Sequence, residues 1–288
     1  MQGVISALVT PFNQDGEIDW EALSLYLDWQ LSFRPDCILA MGSTAEANLL
    51  EEDEAGALVK YIVKAARKLN VKVMIGAGHA STQKTVELCK KYEGLGADIL
   101  LVVTPYYVRP SDEGLYVHYR EVANSVNAPI MLYNVPSRTG VDISNNTVKA
   151  LFEIDNIIGI KDATGDLSRI RLLRSITEKY IFSGDDVTCA EALLCGANGV
   201  ISVISNYQPR LMIELINAVS DSDYYEKWQR IYVPWLAKIG GMAPNPVVIK
   251  ALMAQAGYMH PQVRLPLLPL ASQEYNELVA LTNTIFPE

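Results

Sequence analysis

An α/β fold, the (β/α)8 TIM barrel with additional C-terminal helices, is what this sequence predicts, and three observations predict it. Short runs rich in Val, Ile and Leu recur along the chain, each is followed by a longer amphipathic segment, and eight such units can be counted. Parallel strands covered by helices on their outer face read as continuous apolar runs, and eight strand–helix units close a barrel. A chain of 288 residues, half of them hydrophobic, can bury the core that such a barrel needs.

In order, the strand-like runs are Val4–Thr10, Cys37–Met41, Val71–Gly76, Ile99–Thr104, Ile130–Asn134, Ile157–Asp162, Tyr180–Ser183 and Gly199–Ser205. An open doubly wound sheet is the rival arrangement. Its dinucleotide fingerprint is missing, since Gly76-Ala77-Gly78 lacks the later glycine. From about Gln208 onward the chain reads as helices, with helical apolar spacing in Tyr224–Ile239 and again after Pro266, and with Pro244 and Pro246 breaking the chain between them. The expected division is a catalytic barrel over residues 1–220 and a helical extension over 221–288, packed on the barrel exterior or at a subunit contact. Glu51-Glu52-Asp53-Glu54 reads as the first turn of a helix, where the helix dipole favours carboxylates.

Composition excludes several function classes. A formal charge of -9 without clustered Lys and Arg speaks against a nucleic-acid partner. No apolar run approaches a membrane span, and Met1–Phe12 carries no basic n-region, so the expected location is the cytoplasm. Cys37, Cys89, Cys189 and Cys195 stand singly in apolar stretches and are expected as reduced, buried thiols. His79, His118 and His260 are too dispersed for a helical metal-ligand pair, so neither metal nor cofactor is expected.

The most informative residue is Lys161, which follows Ile157-Ile158-Gly159-Ile160 at the end of a strand that should be fully buried. Period-two alternation places Ile157, Gly159 and Lys161 on one face, with Gly159 leaving room beside the chain. Strand ends at the C-terminal mouth of a barrel carry its chemistry. Desolvation there disfavours an ammonium, and a neutral amine is what Schiff-base formation requires. The alternative is a lysine that snorkels outward or pairs with Asp162 or another carboxylate at the mouth.

Four other strand ends bring polar or aromatic groups to the same mouth: Ser43-Thr44, Tyr106-Tyr107, Tyr133 with Arg138, and Ser183 with Asp185-Asp186. Imine and enamine formation move protons at each step, and Tyr133 is the natural phenol for that work. Arg138, in a loop after Pro136, suits a bidentate grip on a substrate carboxylate, or else an ion pair at a loop or subunit edge.

Gly42-Ser43-Thr44-Ala45-Glu46, Thr104-Pro105-Tyr106-Tyr107, Tyr133-Asn134-Val135-Pro136-Ser137-Arg138-Thr139-Gly140, Gly159-Ile160-Lys161-Asp162-Ala163-Thr164-Gly165, Ser183-Gly184-Asp185-Asp186 and Gly199-Val200-Ile201-Ser202-Val203 together resemble, in order, the motifs of the pyruvate-dependent class I aldolases, the family of the dihydrodipicolinate synthases and N-acetylneuraminate lyases. The resemblance implies a lyase that needs no cofactor and holds pyruvate as a Schiff base on Lys161. In it Tyr133 donates and accepts protons, Ser43 links Tyr133 to a Tyr107 from a neighbouring subunit, and Thr44 holds the pyruvate carboxylate. Gly184 and the Ile201 carbonyl would line the pocket, and Arg138 would receive the carboxylate of L-aspartate 4-semialdehyde. The implied product is 4-hydroxy-tetrahydrodipicolinate, for lysine and diaminopimelate biosynthesis, and the implied assembly is a homotetramer, a dimer of dimers.

Ser43 stands where those synthases usually carry threonine, and Ala45 where they carry glycine; a positive φ at Ala45 would cost on the order of 1 kcal/mol. Ala47, Ala55, Ala80 and Lys84 replace the polar or acidic groups of lysine-inhibited members, so little feedback by lysine is expected. Two alternatives share the barrel: a sibling aldolase acting on N-acetylneuraminate or a 2-keto-3-deoxy sugar acid, and a ligand-binding barrel without turnover.

Overall fold

The computed structural model describes residues 1–287. Its centre is a closed barrel of eight parallel strands in sequence order, β1 (Gly3–Ala7), β2 (Cys37–Ala40), β3 (Lys72–Gly76), β4 (Ile99–Val103), β5 (Ile130–Asn134), β6 (Ile157–Asp162), β7 (Tyr180–Ser183) and β8 (Gly199–Ser202). Closure is made by β8 on β1, from Gly3 opposite Gly199 to Ser6 opposite Ser202. Helices α1 (Trp20–Ser32), α2 (Glu52–Arg67), α3 (Thr82–Gly94), α4 (Asp112–Ser125), α5 (Pro136–Thr139), α6 (Asn145–Leu151), α7 (Leu167–Ile176), α8 (Cys189–Leu194) and α9 (Pro209–Ala218) connect the strands and follow the last of them. Beyond them come α10 (Ser222–Lys227), a π-helical turn at Trp228–Tyr232, α11 (Val233–Gly240), α12 (Val247–Gln255) and α13 (Ser272–Ile285).

Two apolar layers hold the barrel. Side chains facing the axis, among them Ile5, Leu39, Met74, Leu101, Met131 and Phe182, fill the interior. The opposite faces of the strands pack against the helices. Each fully buried Leu, Ile or Phe contributes about 1.5–3 kcal/mol relative to exposure.

The first and last strands end earlier than their apolar runs, for a local reason in each case. The Val9 N–H donates to Asn206 Oδ1 (3.2 Å), and the N–H groups of Val203 and Ile204 both donate to Asp186 Oδ2 (2.9 and 2.8 Å). Side chains thus take up the donors that would have extended the sheet, and Ile204–Asn206 turns into a short 3-10 helix.

The expected alternation in β6 is corrected by a bulge. Ile130 pairs with Ile157 but Met131 pairs with Gly159, leaving Ile158 as the extra residue. Ile157 therefore lies in the outer layer and Ile158 against the interior. Gly159 does leave room, but for a neighbouring strand: a Cβ there would stand 2.2 Å from the Tyr180 carbonyl oxygen.

The acidic run after β2 opens α2 as its composition implies, with Glu54 accepting from the Glu51 N–H (2.9 Å). Of the four cysteines, all free, Cys195 is only half-buried. Among the described residues no helix is long and apolar enough to cross a membrane, and no cluster of His, Cys, Asp and Glu is arranged to hold a metal.

Candidate active site

Strand register creates the central pair. Tyr133 on β5 is the register partner of Lys161 on β6, one residue before the pairing of Asn134 with Asp162. Neighbours in register on adjacent parallel strands project to the same side, so Tyr133 and Lys161 meet at the C-terminal mouth of the barrel. The Lys161 Nζ lies 4.3 Å from the centroid of the Tyr133 ring. Lys161 is 5% exposed and Tyr133 8%, so the amine is sheltered without being sealed off.

The competing fate for Lys161, an ion pair with its neighbour, is ruled out by where Asp162 points. Asp162 faces the helix layer, where its carboxylate meets Arg169 Nε (2.8 Å) and accepts from Asn134 Nδ2 (3.1 Å) and the Thr164 N–H (3.1 Å). Among the described residues Lys161 joins no ion pair. A buried amine that no carboxylate compensates is what structure alone avoids and nucleophilic catalysis uses.

Gly184, at the end of β7, makes space for the stem of that lysine. A Cβ at Gly184 would lie 2.8 Å from both Lys161 Cε and Ala163 Cβ. Ile201 is buried on β8. The acidic pair after β7 has its own work to do: Asp185 accepts from the Val187 N–H (3.0 Å) and the Thr188 hydroxyl (2.9 Å), while Asp186 is enclosed beneath β8, where burial raises its carboxyl above the ordinary range.

Beyond β2 the chain makes two short 3-10 turns, Ser43–Ala45 and Ala47–Leu49. Ser43 is exposed and Thr44 buried. The strain considered for Ala45 falls elsewhere: Ala45 has no positive φ, and Met41 (56°) and Glu46 (55°) carry the left-handed conformations. Thr44 Oγ1 accepts from Asn245 Nδ2 (2.9 Å), and the Asn245 carbonyl accepts from Arg138 Nη2 (3.2 Å). Arg138 sits on the one-turn helix α5 and is exposed, leaving its remaining donors to face the mouth or solvent.

Tyr107 is not brought to this site by its own chain. It is 92% exposed, with φ of 73° and its N–H donating to the Thr139 carbonyl (3.3 Å). Tyr106 is half-buried, its ring centroid 5.9 Å from that of His79.

Sequence reasoning missed Asn245 and Lys250, both in the C-terminal extension. Lys250 is fully buried and pairs with Glu46 (2.7 Å), and burial pushes its ammonium down to about 8 against the opposing pull of the Glu46 carboxylate. Its signal was present: Val247-Val248-Ile249-Lys250-Ala251-Leu252-Met253 sets one lysine in an apolar run, as at Lys161. Asn245 left no such trace. A separate cavity of about 210 Å³ lies between β1, α1 and α9, near Gly3 and Asp36, at the opposite ends of the strands from Lys161.

A family model described as the dihydrodipicolinate synthetase family matches residues 1–285. The chain belongs to that family. The 4-hydroxy-tetrahydrodipicolinate synthase of Herminiimonas arsenicoxydans is 39% identical to this family member over 283 residues, covering 97% of this chain and 96% of the relative. Among solved structures, the chloride-inhibited dihydrodipicolinate synthase of Acinetobacter baumannii, complexed with pyruvate, superposes with a TM-score of 0.94 at 39% identity, over 99% of each chain. The dihydrodipicolinate synthase of Thermotoga maritima gives 0.94 at 33% identity, again over 99% of each chain. This likeness runs through α10–α13, so the extension is part of the shared architecture.

Proposed function

We propose that this chain condenses pyruvate with L-aspartate 4-semialdehyde to give 4-hydroxy-tetrahydrodipicolinate, the branch-point step toward diaminopimelate and lysine. The observation that carries the reading is the buried, uncompensated amine of Lys161 beside the Tyr133 ring; family membership supplies the substrates. Lys161 Nζ attacks C2 of pyruvate, the C=N bond forms and water leaves. Loss of a C3 proton gives the enamine, whose C3 bonds to the aldehyde carbon; the amino group of the semialdehyde then attacks C2 of the imine, closing the ring and releasing Lys161 as the free amine. The chemistry requires no cofactor.

Tyr133 donates and accepts the protons, with Ser43 relaying them to a Tyr107 supplied by a second subunit. Thr44 holds the pyruvate carboxylate. Gly184 and the Ile201 carbonyl shape the pocket, and Arg138 holds the carboxylate of the aldehyde. The exposed, left-handed Tyr107 supports an assembly in which subunits exchange this side chain, a homotetramer built from two such dimers in the cytoplasm.

Incubation with pyruvate and borohydride tests the chemistry: peptide mapping should place the reduced adduct on Lys161, and the Lys161→Met variant should take none. Label on any other residue, or none on the wild type, sinks the reading. Arg138 separates the synthase from an aldolase acting on sugar acids. Arg138→Ala should raise KM for aspartate semialdehyde about tenfold or more, the loss of at least ~1.4 kcal/mol of binding, while pyruvate trapping stays near wild type. An unchanged KM points to another aldehyde.

A further inference from the structure

The turn that presents Thr44 is gripped from behind by the C-terminal extension. Glu46, at the joint between the two 3-10 turns, holds a left-handed backbone conformation that a residue with a long side chain keeps only when its surroundings impose it. Its carboxylate is completely buried. One oxygen meets Lys250 Nζ (2.7 Å) and the other accepts from the Arg264 N–H (2.8 Å). In front, the Ala45 carbonyl accepts from the Thr10 hydroxyl (2.8 Å).

Lys250 has no exposed surface, and its Nζ stands 4.0 Å from the centroid of the Phe12 ring. Water therefore has no route to replace it. Five residues earlier in the same segment, Asn245 donates to Thr44 itself (2.9 Å). The extension touches the turn at Thr44 and at Glu46, two residues apart, whereas Lys161 is held separately by the β6 ladder and by the space at Gly184.

We infer that Lys250 is a positioning residue, whose ion pair with Glu46 fixes the Ser43–Glu46 turn in the shape that lets Thr44 hold the carboxylate of pyruvate. The inference rests on the proposed role of Thr44. Removing the amine leaves the buried carboxylate the Arg264 N–H and the more distant Arg264 guanidinium but no direct ion-pair partner, a costly state for a buried charge. Glu46 then leaves its enforced conformation and Thr44 moves with it. The nucleophile stays where it was, so the expected defect is in the grip on pyruvate and not in the chemistry of Lys161.

The test compares the wild type with Lys250→Met, Glu46→Gln and the double variant, each checked for folding by circular dichroism and measured well below its melting temperature. In each folded variant, borohydride trapping should still label Lys161, with the pyruvate concentration for half-maximal trapping raised by about tenfold in Lys250→Met, a displacement of Thr44 by about an ångström being sufficient. The KM for aspartate semialdehyde should stay within about twofold. The double variant, which carries no stranded charge but also lacks the ion pair, should fall between the single variant and the wild type, about threefold or more above the latter. A half-saturating pyruvate concentration within twofold of wild type in Lys250→Met, or in the double variant should the single one not fold, overturns the inference while leaving the Schiff-base reading intact. Wild-type protein that pyruvate and borohydride do not label overturns both.

Discussion

Lys161 and Lys250 are both buried and both lie over an aromatic ring, but only Lys250 meets a carboxylate, that of Glu46, whereas Lys161 has none and finds space at Gly184 for its stem. The first arrangement neutralises a charge, and the second leaves an amine free to react. Gly184 should accordingly be intolerant of any side chain. Because its φ is not in the left-handed region, alanine fits the backbone there, and the nearest conflicts are with Ala163 Cβ and with the Lys161 side chain at Cε and Cγ. We expect Gly184→Ala to slow reductive trapping by pyruvate about tenfold or more, in keeping with the sensitivity of reaction rates to ångström displacements, while the far-ultraviolet circular dichroism stays as in wild type. Trapping at the wild-type rate would mean that the lysine stem does not depend on this space.

At the scale of elements, the apolar runs made all eight strands legible, because strands sheathed by helices must be hydrophobic on both faces. What the runs could not reveal were contacts between distant positions. The bulge at Ile158 depends on how β6 meets β5, and the early end of β8 depends on a carboxylate that sits after β7. Lys161 was legible because a charge interrupts an apolar strand; Asn245 was not, because an asparagine between two prolines reads only as a turn. Buried histidine between α3 and α4 gives an acid-stability prediction. His118 Nδ1 lies 3.0 Å from Thr82 Oγ1, and burial lowers its pKa from the ordinary 6.5 to about 4. The unfolded chain therefore binds the extra proton first, and stability falls as pH drops from about 6.5 toward 4, by on the order of 3 kcal/mol from this group at most. His118→Gln should flatten that part of the stability profile in urea titrations at successive pH values; an unaltered slope would assign the acid sensitivity to other groups.

For the whole molecule, the informative surface feature is Tyr107, displayed at 92% exposure with Val108 beside it at 58%. If the phenol serves a neighbour, two inactive variants should repair one another. Mixing Tyr107→Phe with Lys161→Met, after dissociation and reassembly, should restore up to about a quarter of wild-type turnover, since half the dimers are mixed and each of these has one complete site. Activity no greater than the sum of the separate variants would place the tyrosine's role elsewhere. The same scale governs the extension. Arg264 pairs with Glu54 and donates to the carbonyls of Gly16 (2.9 Å) and Leu49 (2.9 Å), so residues near the end of the chain are fastened to loops near its beginning.

That fastening sets an order of events during synthesis. A nascent chain can add β8 and close the sheet once about two hundred residues have emerged, yet Asn245, Lys250 and Arg264 are then still unmade or inside the ribosome. The amine of Lys161 would already be in place while the groups that steady Thr44 were missing. The contacts that Asn245 and Lys250 make with Thr44 and Glu46 can form only after the strand that carries Lys161 has been made.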